Sequence, residues 1–244
     1  MRNIYKEALE KQLALDYACS IEEVQSADNV YTELKKTSDM RPIGTEKSLL
    51  KLAVYNEKLL IMAAPQIMDW CKEQFGNKRG TWLAEPESLI QIHNKLSEYG
   101  QKLADIHHHY IPRDSYPLVE KRFEIRVYEE QNIEIFRGDK RFWEALLFDE
   151  TTPDMLAVCA VEGENILGMA SATRDSAVLW QIGVNVTEEG RGRGVGAYVT
   201  AVLKEKLLER GIVPTYATVE SHIKSQKVAL EAGFEPAFYE LFSE

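Results

Sequence analysis

Between an apolar run at Val178–Val186 and an amphipathic stretch at Gly194–Arg210 the chain reads Arg191-Gly192-Arg193-Gly194-Val195-Gly196-Ala197. A strand that turns through glycines into a helix commits this part of the molecule to a mixed α/β fold. It also makes an anion site. The first backbone N–H groups of a helix lack partners within it, and the helix dipole adds partial positive charge there. Glycines let the backbone approach a phosphate without Cβ interference, and Arg191 and Arg193 can add charge-assisted contacts. The segment is predicted to cradle a pyrophosphate. A glycine turn with no ligand is the plain alternative.

On either side of that turn the elements alternate. Phe123, Ile125 and Val127 alternate with Glu124, Arg126 and Tyr128 as a half-buried strand, and Asn132–Phe148 is predicted helical with a break near Gly138. Leu156–Val161 and Ile166–Thr173 form a hairpin across Glu162-Gly163-Glu164-Asn165. Beyond the glycine turn, Val199, Val202, Leu203 and Leu207 share one helical face; Gly211 fits the left-handed C′ position and Pro214 prevents continuation. Val213–Val219 is predicted as a strand and Ser221–Ala232 as a helix stopped by Gly233-Phe234. Ala237–Phe242 is expected as an exposed final strand, able to pair with a second copy in a homodimer.

A seam at Ile111–Lys121, where Pro112, Asp114, Ser115 and Pro117 cluster, divides the chain into residues 1–120 and 121–244. Before it, Leu89, Ile92, Leu96, Tyr99, Leu103 and Ile106 recur at spacings of three and four, one stripe of a helix with Ser88 near its start. His107-His108-His109 then fall at the C-terminus of that helix, where positive charge is favoured. No acidic or Cys ligand stands at metal spacing from them, so no metal site is predicted. Leu52–Tyr55 and Lys58–Ala64 flank Asn56-Glu57 as a hairpin, and Gln66–Phe75 reads as a short helix.

The net charge of -10 argues against binding along a DNA or RNA backbone and leans towards cationic partners. Cys19, Cys71 and Cys159 are odd in number and far apart, which predicts free thiols rather than disulfides. With no apolar leader in Met1–Glu10, and with Leu59–Ala64 too short to span a bilayer, the expected location is the cytoplasm.

Which pyrophosphate is bound is decided by context. Gly192, Gly194 and Ala197 also fit a dinucleotide fingerprint, with Glu220 at the end of the next strand as the ribose-binding acid. Thr187–Arg191 intervenes before the glycines, however, and only two strands follow, too few for a βαβαβ half.

The residues resemble those of the GNAT (GCN5-related) N-acetyltransferases. The pyrophosphate motif of that family, Arg or Gln followed by two residues, Gly, one residue, and Gly or Ala, is met in register by Arg191, Gly194 and Gly196. Val184-Asn185-Val186 is similar to the splayed fourth strand of the fold, and Ser221–Ala232 with Gly233-Phe234 resembles its second cofactor motif. Leu179–Val184 and Val213–Tyr216 look like a bacterial branch carrying an N-terminal extension. The resemblance implies a GNAT acyl-CoA N-acyltransferase fold over residues 121–244, preceded by a smaller α+β domain that helps to shape the acceptor cleft. It implies acetyl-CoA as cofactor and a primary amine, on a small molecule or a peptide, as acceptor.

The roles it implies fall on particular residues. The backbone of Val184 and Val186 would pair with the pantetheine arm, and an N–H within Val184–Val186 would polarise the thioester carbonyl. The N–H groups of Arg193, Gly194, Val195, Gly196 and Ala197 would hold the pyrophosphate. His222 and Ser225 fall where the family has a pantetheine-contacting Asn and a small residue. Ala229 departs from the pattern: many members carry there the Tyr that protonates the leaving thiolate, so Ser225, Tyr216 or Tyr239 must serve, or water.

An amine protonated at neutral pH needs a base. Glu220 and Asp175, at strand ends near the expected splay, are the candidates, with helix capping and a turn role as their structural alternatives. Gln181 can touch substrate but fits better as a satisfied sheet residue, and Cys159 reads as core. Two functions stay open: direct acetyl transfer in a ternary complex, and a sensor that binds acyl-CoA without turnover, which Ala229 favours.

Overall fold

In the computed structural model, residues 4–37, 39–42, 47–76, 78–117 and 120–244 are described. Leu118 and Val119, within the expected seam, lie outside them. Contacts divide the chain into two compact units, residues 9–109 with 237–244, and residues 1–8 with 110–236. The last eight residues thus return to the first-built unit, which a division into two contiguous stretches does not contain.

The unit of residues 9–109 and 237–244 opens with most of α1 (Ile4–Asp16) and α2 (Ile21–Gln25), followed by β1 (Val30–Glu33), β2 (Leu50–Tyr55) and β3 (Lys58–Ala63). Asn56 and Glu57 both take positive φ, 49° and 67°, which closes the predicted β2–β3 hairpin through a two-residue turn. Next come α3 (Pro65–Phe75), α4 (Pro86–Ser97) and β4 (Leu103–Pro112). The predicted long helix therefore ends at Ser97, and Leu103, Ile106 and His107–His109 lie on a strand instead. Gly100, at φ 71°, breaks the helical run. The apolar stripe misled because a spacing of three at Leu103–Ile106 continues the helical period by coincidence. The three histidines consequently cap no helix, and no metal-binding cluster occurs among the described residues.

The other unit holds β5 (Glu124–Glu129), α5 (Glu130–Ile133), β6 (Asp154–Glu162), β7 (Asn165–Thr173), β8 (Leu179–Val186), α6 (Val195–Glu209), β9 (Val213–Thr218) and α7 (Ile223–Glu231). Strand β10 (Phe234–Ser243) begins in it. Between β5 and β6 the expected helix is only α5 and two single 3-10 turns, Glu134–Phe136 and Lys140–Phe142. The sheet runs β9-β8-β7-β6-β5, antiparallel throughout except for the parallel β8–β9 pair. A sheet so largely antiparallel is no dinucleotide-binding βαβαβ half, which removes that alternative.

Both faces of this sheet are covered. Leu156, Val158 and Ala160 pack with Val195, Val199 and Leu203 of α6, while Ala157, Cys159 and Val161 pack with Ile133, Phe136 and Phe142. Alternation along one strand thus feeds two cores. Burial pushes the Cys159 thiol up to about 12, as befits a core residue.

Residues 239–242 of β10 pair antiparallel with β2, Tyr239 opposite Val54 and Phe242 opposite Lys51. The final strand is therefore no free edge, and the dimer contact expected from it is not available. No helix among the described residues is long and apolar enough to cross a membrane.

Candidate active site

Strands β8 and β9 pair in parallel from Leu179–Val213 to Ile182–Tyr216, and there the pairing ends. On its other side β8 stays in register with β7 to the end, Ser171 opposite Gly183 and Gly168 opposite Val186. From Gly183 to Val186, then, one edge of β8 has left its parallel neighbour. The strands splay at the place where Val184-Asn185-Val186 was expected to open.

The turn beyond β8 is packed as tightly as backbone allows. A methyl group on Gly190 would stand 2.1 Å from the Leu167 carbonyl oxygen, and one on Gly168 would stand 2.7 Å from Val195. Gly192 and Gly194 take φ of 72° and 75°, and Gly194 is the N-cap of α6 with no side-chain cap. A bare helix N-terminus with two left-handed glycines before it fits a phosphate. Gly196 faces Val186 of β8 and Val228 of α7 at 3.2 and 3.4 Å from a notional methyl, so α6 starts against both.

The arginines behave differently from one another. Arg193 donates to Glu162 at 2.8 Å and lies over the Phe123 ring, so its guanidinium is engaged. Arg191 is exposed and only 3.9 Å from Glu188. Arg122 stands instead beside the cradle: its Nη1 would be 3.3 Å from a methyl on Gly194. Tyr198 of α6 fixes this approach, its hydroxyl donating to the Phe123 carbonyl at 3.3 Å and its ring meeting that of Phe123 edge-on. Arg122 carried no signal in the sequence, because it lies far from the glycine motif.

The α7 residues fall at the splay from the other side. Ser225 is half-buried and shares a 2.8 Å hydrogen bond with the Tyr216 hydroxyl, while His222 is exposed at the N-cap of α7. Burial pushes the Tyr216 phenol up to about 12; its bond to Ser225 partly opposes this, and the charge of Glu144 adds to it. Ala229 is fully buried in the cluster that contains Tyr216 and Phe234. Tyr239 is in the core of the other unit, packed with Leu241 and Ile92, and is no donor here.

Glu220 is exposed just beyond β9, where its carbonyl accepts from Gln226 at 2.7 Å. Asp175 accepts from the Thr173 hydroxyl at 2.8 Å. Thr173 is opposite Gln181, so Asp175 lies towards the start of β8, away from the splay. A third acid was missed. Glu144 lies against the face of β8 carrying Gly183 and Asn185. Asn185 Oδ1 accepts from the N–H groups of Glu144 and Ala145 at 2.9 and 2.8 Å.

Residues 119–234 match the family model for the GNAT acetyltransferase family. No curated protein matches the chain. Among solved structures it is similar to a GCN5-related N-acetyltransferase-like protein from Streptococcus suis, at 14% identity over 98% of this chain and 97% of that one, with a TM-score of 0.50. A GCN5-related N-acetyltransferase from Sphaerobacter thermophilus is similar at 14% identity, over 100% of this chain and 93% of that one, with a TM-score of 0.50. At such identity these likenesses speak for the fold.

Proposed function

We propose that the chain, whose residues 119–234 match the GNAT acetyltransferase family model, transfers an acetyl group from acetyl-CoA to a primary amine. The observation that carries this reading is the parting of β8 from β9 beside the uncapped start of α6. A thioester cofactor needs an extended backbone edge for its arm and an anion site for its pyrophosphate, and the two lie one glycine turn apart.

Bound acetyl-CoA supplies an acyl group already activated as a thioester. The backbone of Val184 and Val186 holds the arm as a further strand, and an N–H of Val184–Val186 donates to the carbonyl oxygen where negative charge develops. The N–H groups of Arg193–Ala197 take the pyrophosphate, with Arg122 as an added cation. His222 and Ser225 line the arm from α7. The Tyr216–Ser225 hydroxyl pair provides the proton for the departing thiolate, in the role that Ala229 leaves vacant. Glu220 and Asp175 are the bases that the sequence offers for the amine. Three free thiols suit a reducing cytoplasm. The sensor reading keeps one observation in its favour, the buried Ala229.

The test pairs turnover with binding. Purified protein is mixed with acetyl-CoA and a panel of amines, and free thiol is followed. Amine-dependent release is expected, and it should survive Gly194→Asn but not Gly194→Asp. Both residues tolerate positive φ, so the pair isolates the added negative charge. Acetyl-CoA that raises the melting temperature with no thiol released by any amine supports the sensor instead.

A further inference from the structure

Glu144 is unused by the chemistry above, yet the fold invests two β8 residues in holding it. The alternation of β8 puts Ile182, Val184 and Val186 on the face of α6, so Gly183 and Asn185 face the other way. At Gly183 a methyl group would stand 2.1 Å from the Glu144 carbonyl oxygen and 3.1 Å from Ala145 Cα. Only glycine admits the 144–145 backbone there. Asn185 then fixes both N–H groups with one oxygen and donates from Nδ2 to Glu144 Oε2 at 3.1 Å. Gly183 is the first β8 residue past the last pair with β9, so the segment is seated at the level where the strands part.

The carboxylate this produces is exposed, oriented by a neutral amide, and paired with no Lys, Arg or His among the described residues. Of the cations on this stretch, Arg137 pairs with Glu134 and Arg141 with Asp139, and Lys140 forms no ion pair with Glu144 among the described residues. Its charge reaches the Tyr216 phenol, which comes to the splay from the opposite face of the sheet. An oriented, unneutralised carboxylate next to the opening is a receptor for a cation.

We propose that Glu144 receives the ammonium group of a cationic acceptor at the splay and takes its proton. This rests on the reading that the splay seats a thioester. Of the three ammonium protons, one passes to Glu144 and frees the nitrogen lone pair, which forms the C–N bond to the carbonyl carbon. A second leaves the nitrogen as the C–S bond breaks and restores, through solvent, the proton that the Tyr216–Ser225 pair gives to the sulfur. The third stays on the amide. One proton is released to solvent overall. Asp175 is displaced from this role by its position near the start of β8, and the comparison with Glu220 below separates the two remaining acids.

The experiment compares wild type with Glu144→Gln, Glu220→Gln and Asp175→Asn in the full chain. It records kcat/KM for the best cationic amine of the panel from pH 6 to 10, and acetyl-CoA affinity by calorimetry. Gln still accepts from Asn185 Nδ2, so the 144–145 segment keeps its seat. For Glu144→Gln we expect a loss at neutral pH of roughly 10²-fold or more. The deficit should shrink as pH approaches the pKa of the amine, with acetyl-CoA affinity unchanged within about twofold. A Glu144→Gln profile that overlays wild type overturns the assignment alone, as does a deficit that follows Glu220 or Asp175 instead. A loss independent of pH, accompanied by an equal loss of acetyl-CoA affinity, makes Glu144 merely structural. A wild type that binds acetyl-CoA and acetylates nothing overturns the transferase reading and this assignment with it.

Discussion

Arg122 and Arg193 illustrate how a charge near a glycine turn acquires or loses a function. Arg193 sits within the motif, but Glu162 neutralises it. Arg122 comes from outside the motif and is held over Gly194 by the Tyr198–Phe123 contact. We therefore expect Arg122→Ala to weaken acetyl-CoA binding by about 1.5–3 kcal/mol, the worth of a charge-assisted bond, and to flatten its salt dependence. Arg193→Ala should change it by less than half as much, since an exposed ion pair is what it breaks; isothermal titration at two ionic strengths distinguishes them. Tyr216 gives a second expectation. Its folded pKa lies above the ordinary 10.0, at about 12, so the folded state keeps a phenol proton that the unfolded chain loses first. The stability contributed by the neutral phenol is full below pH 10 and declines as pH rises to about 12. The decline should be on the order of 3 kcal/mol. Tyr216→Phe should remove that part of the slope in denaturant titrations at pH 9, 10.5 and 12. Of the candidate site, the glycine turn into α6 was legible in the sequence because glycine spacing reports backbone conformation directly. Glu144 and Arg122 were not, because each is delivered by a contact between segments distant along the chain.

At the scale of elements, Asn185 shows a strand residue doing the work of a turn. In the stretch between α5 and β6 local carbonyls take several backbone donors, Phe142 N–H to Asp139 and Leu146 N–H to Phe142 among them, while the Glu144 N–H reaches outside to Asn185. Asn185 Oδ1 accepts from two N–H groups at once. Asn185→Ala should cost about 1 kcal/mol, since the Glu144 N–H loses its acceptor while that of Ala145 keeps the Phe142 carbonyl. Amide exchange should speed at Glu144 and Ala145 while Val158 and Ala170, in the sheet core, remain protected; uniform exchange across the unit would contradict a local role. The same stretch explains where sequence reading of the fold failed. Short apolar runs joined by a two-residue turn, such as β2–β3 and β6–β7, emerged with nearly correct limits because their signals are local. Residues 132–148 have enough apolar spacing for a helix, but Phe136, Phe142, Ala145 and Leu146 are placed by the core under β6 and β7, not by a helical period. Tertiary packing overrode local preference there.

For the whole molecule, the revealing fact is that the last eight residues complete a unit begun a hundred residues and more upstream. Glu240 accepts from the Tyr17 hydroxyl at 2.8 Å and from Arg41 Nη2 at 3.1 Å, and Arg41 Nε donates to Asp16. Arg41, Asp16 and Glu240 are each no more than 2% exposed. Ser48 Oγ donates to the Ser243 carbonyl at 2.6 Å, and Tyr239 and Leu241 enter the core with Leu52, Ile61 and Ile92. Removing one member of such a buried ionic set leaves charge without compensation, which costs about 3–5 kcal/mol. Glu240→Gln should lose that amount in urea unfolding, and Glu73→Gln, exposed on α3 of the same unit, should lose little. A chain ending at Pro236 forfeits more: the buried partner of Arg41, the apolar contacts of Tyr239 and Leu241, and the hydrogen-bond acceptors along β2. We expect it to lose amide protection across Leu50–Tyr55, and hence the cooperative fold of residues 9–109, within the range of a typical domain stability. Protection of Leu50–Tyr55 that persists in the shortened chain would show that residues 9–109 fold without the C-terminal strand.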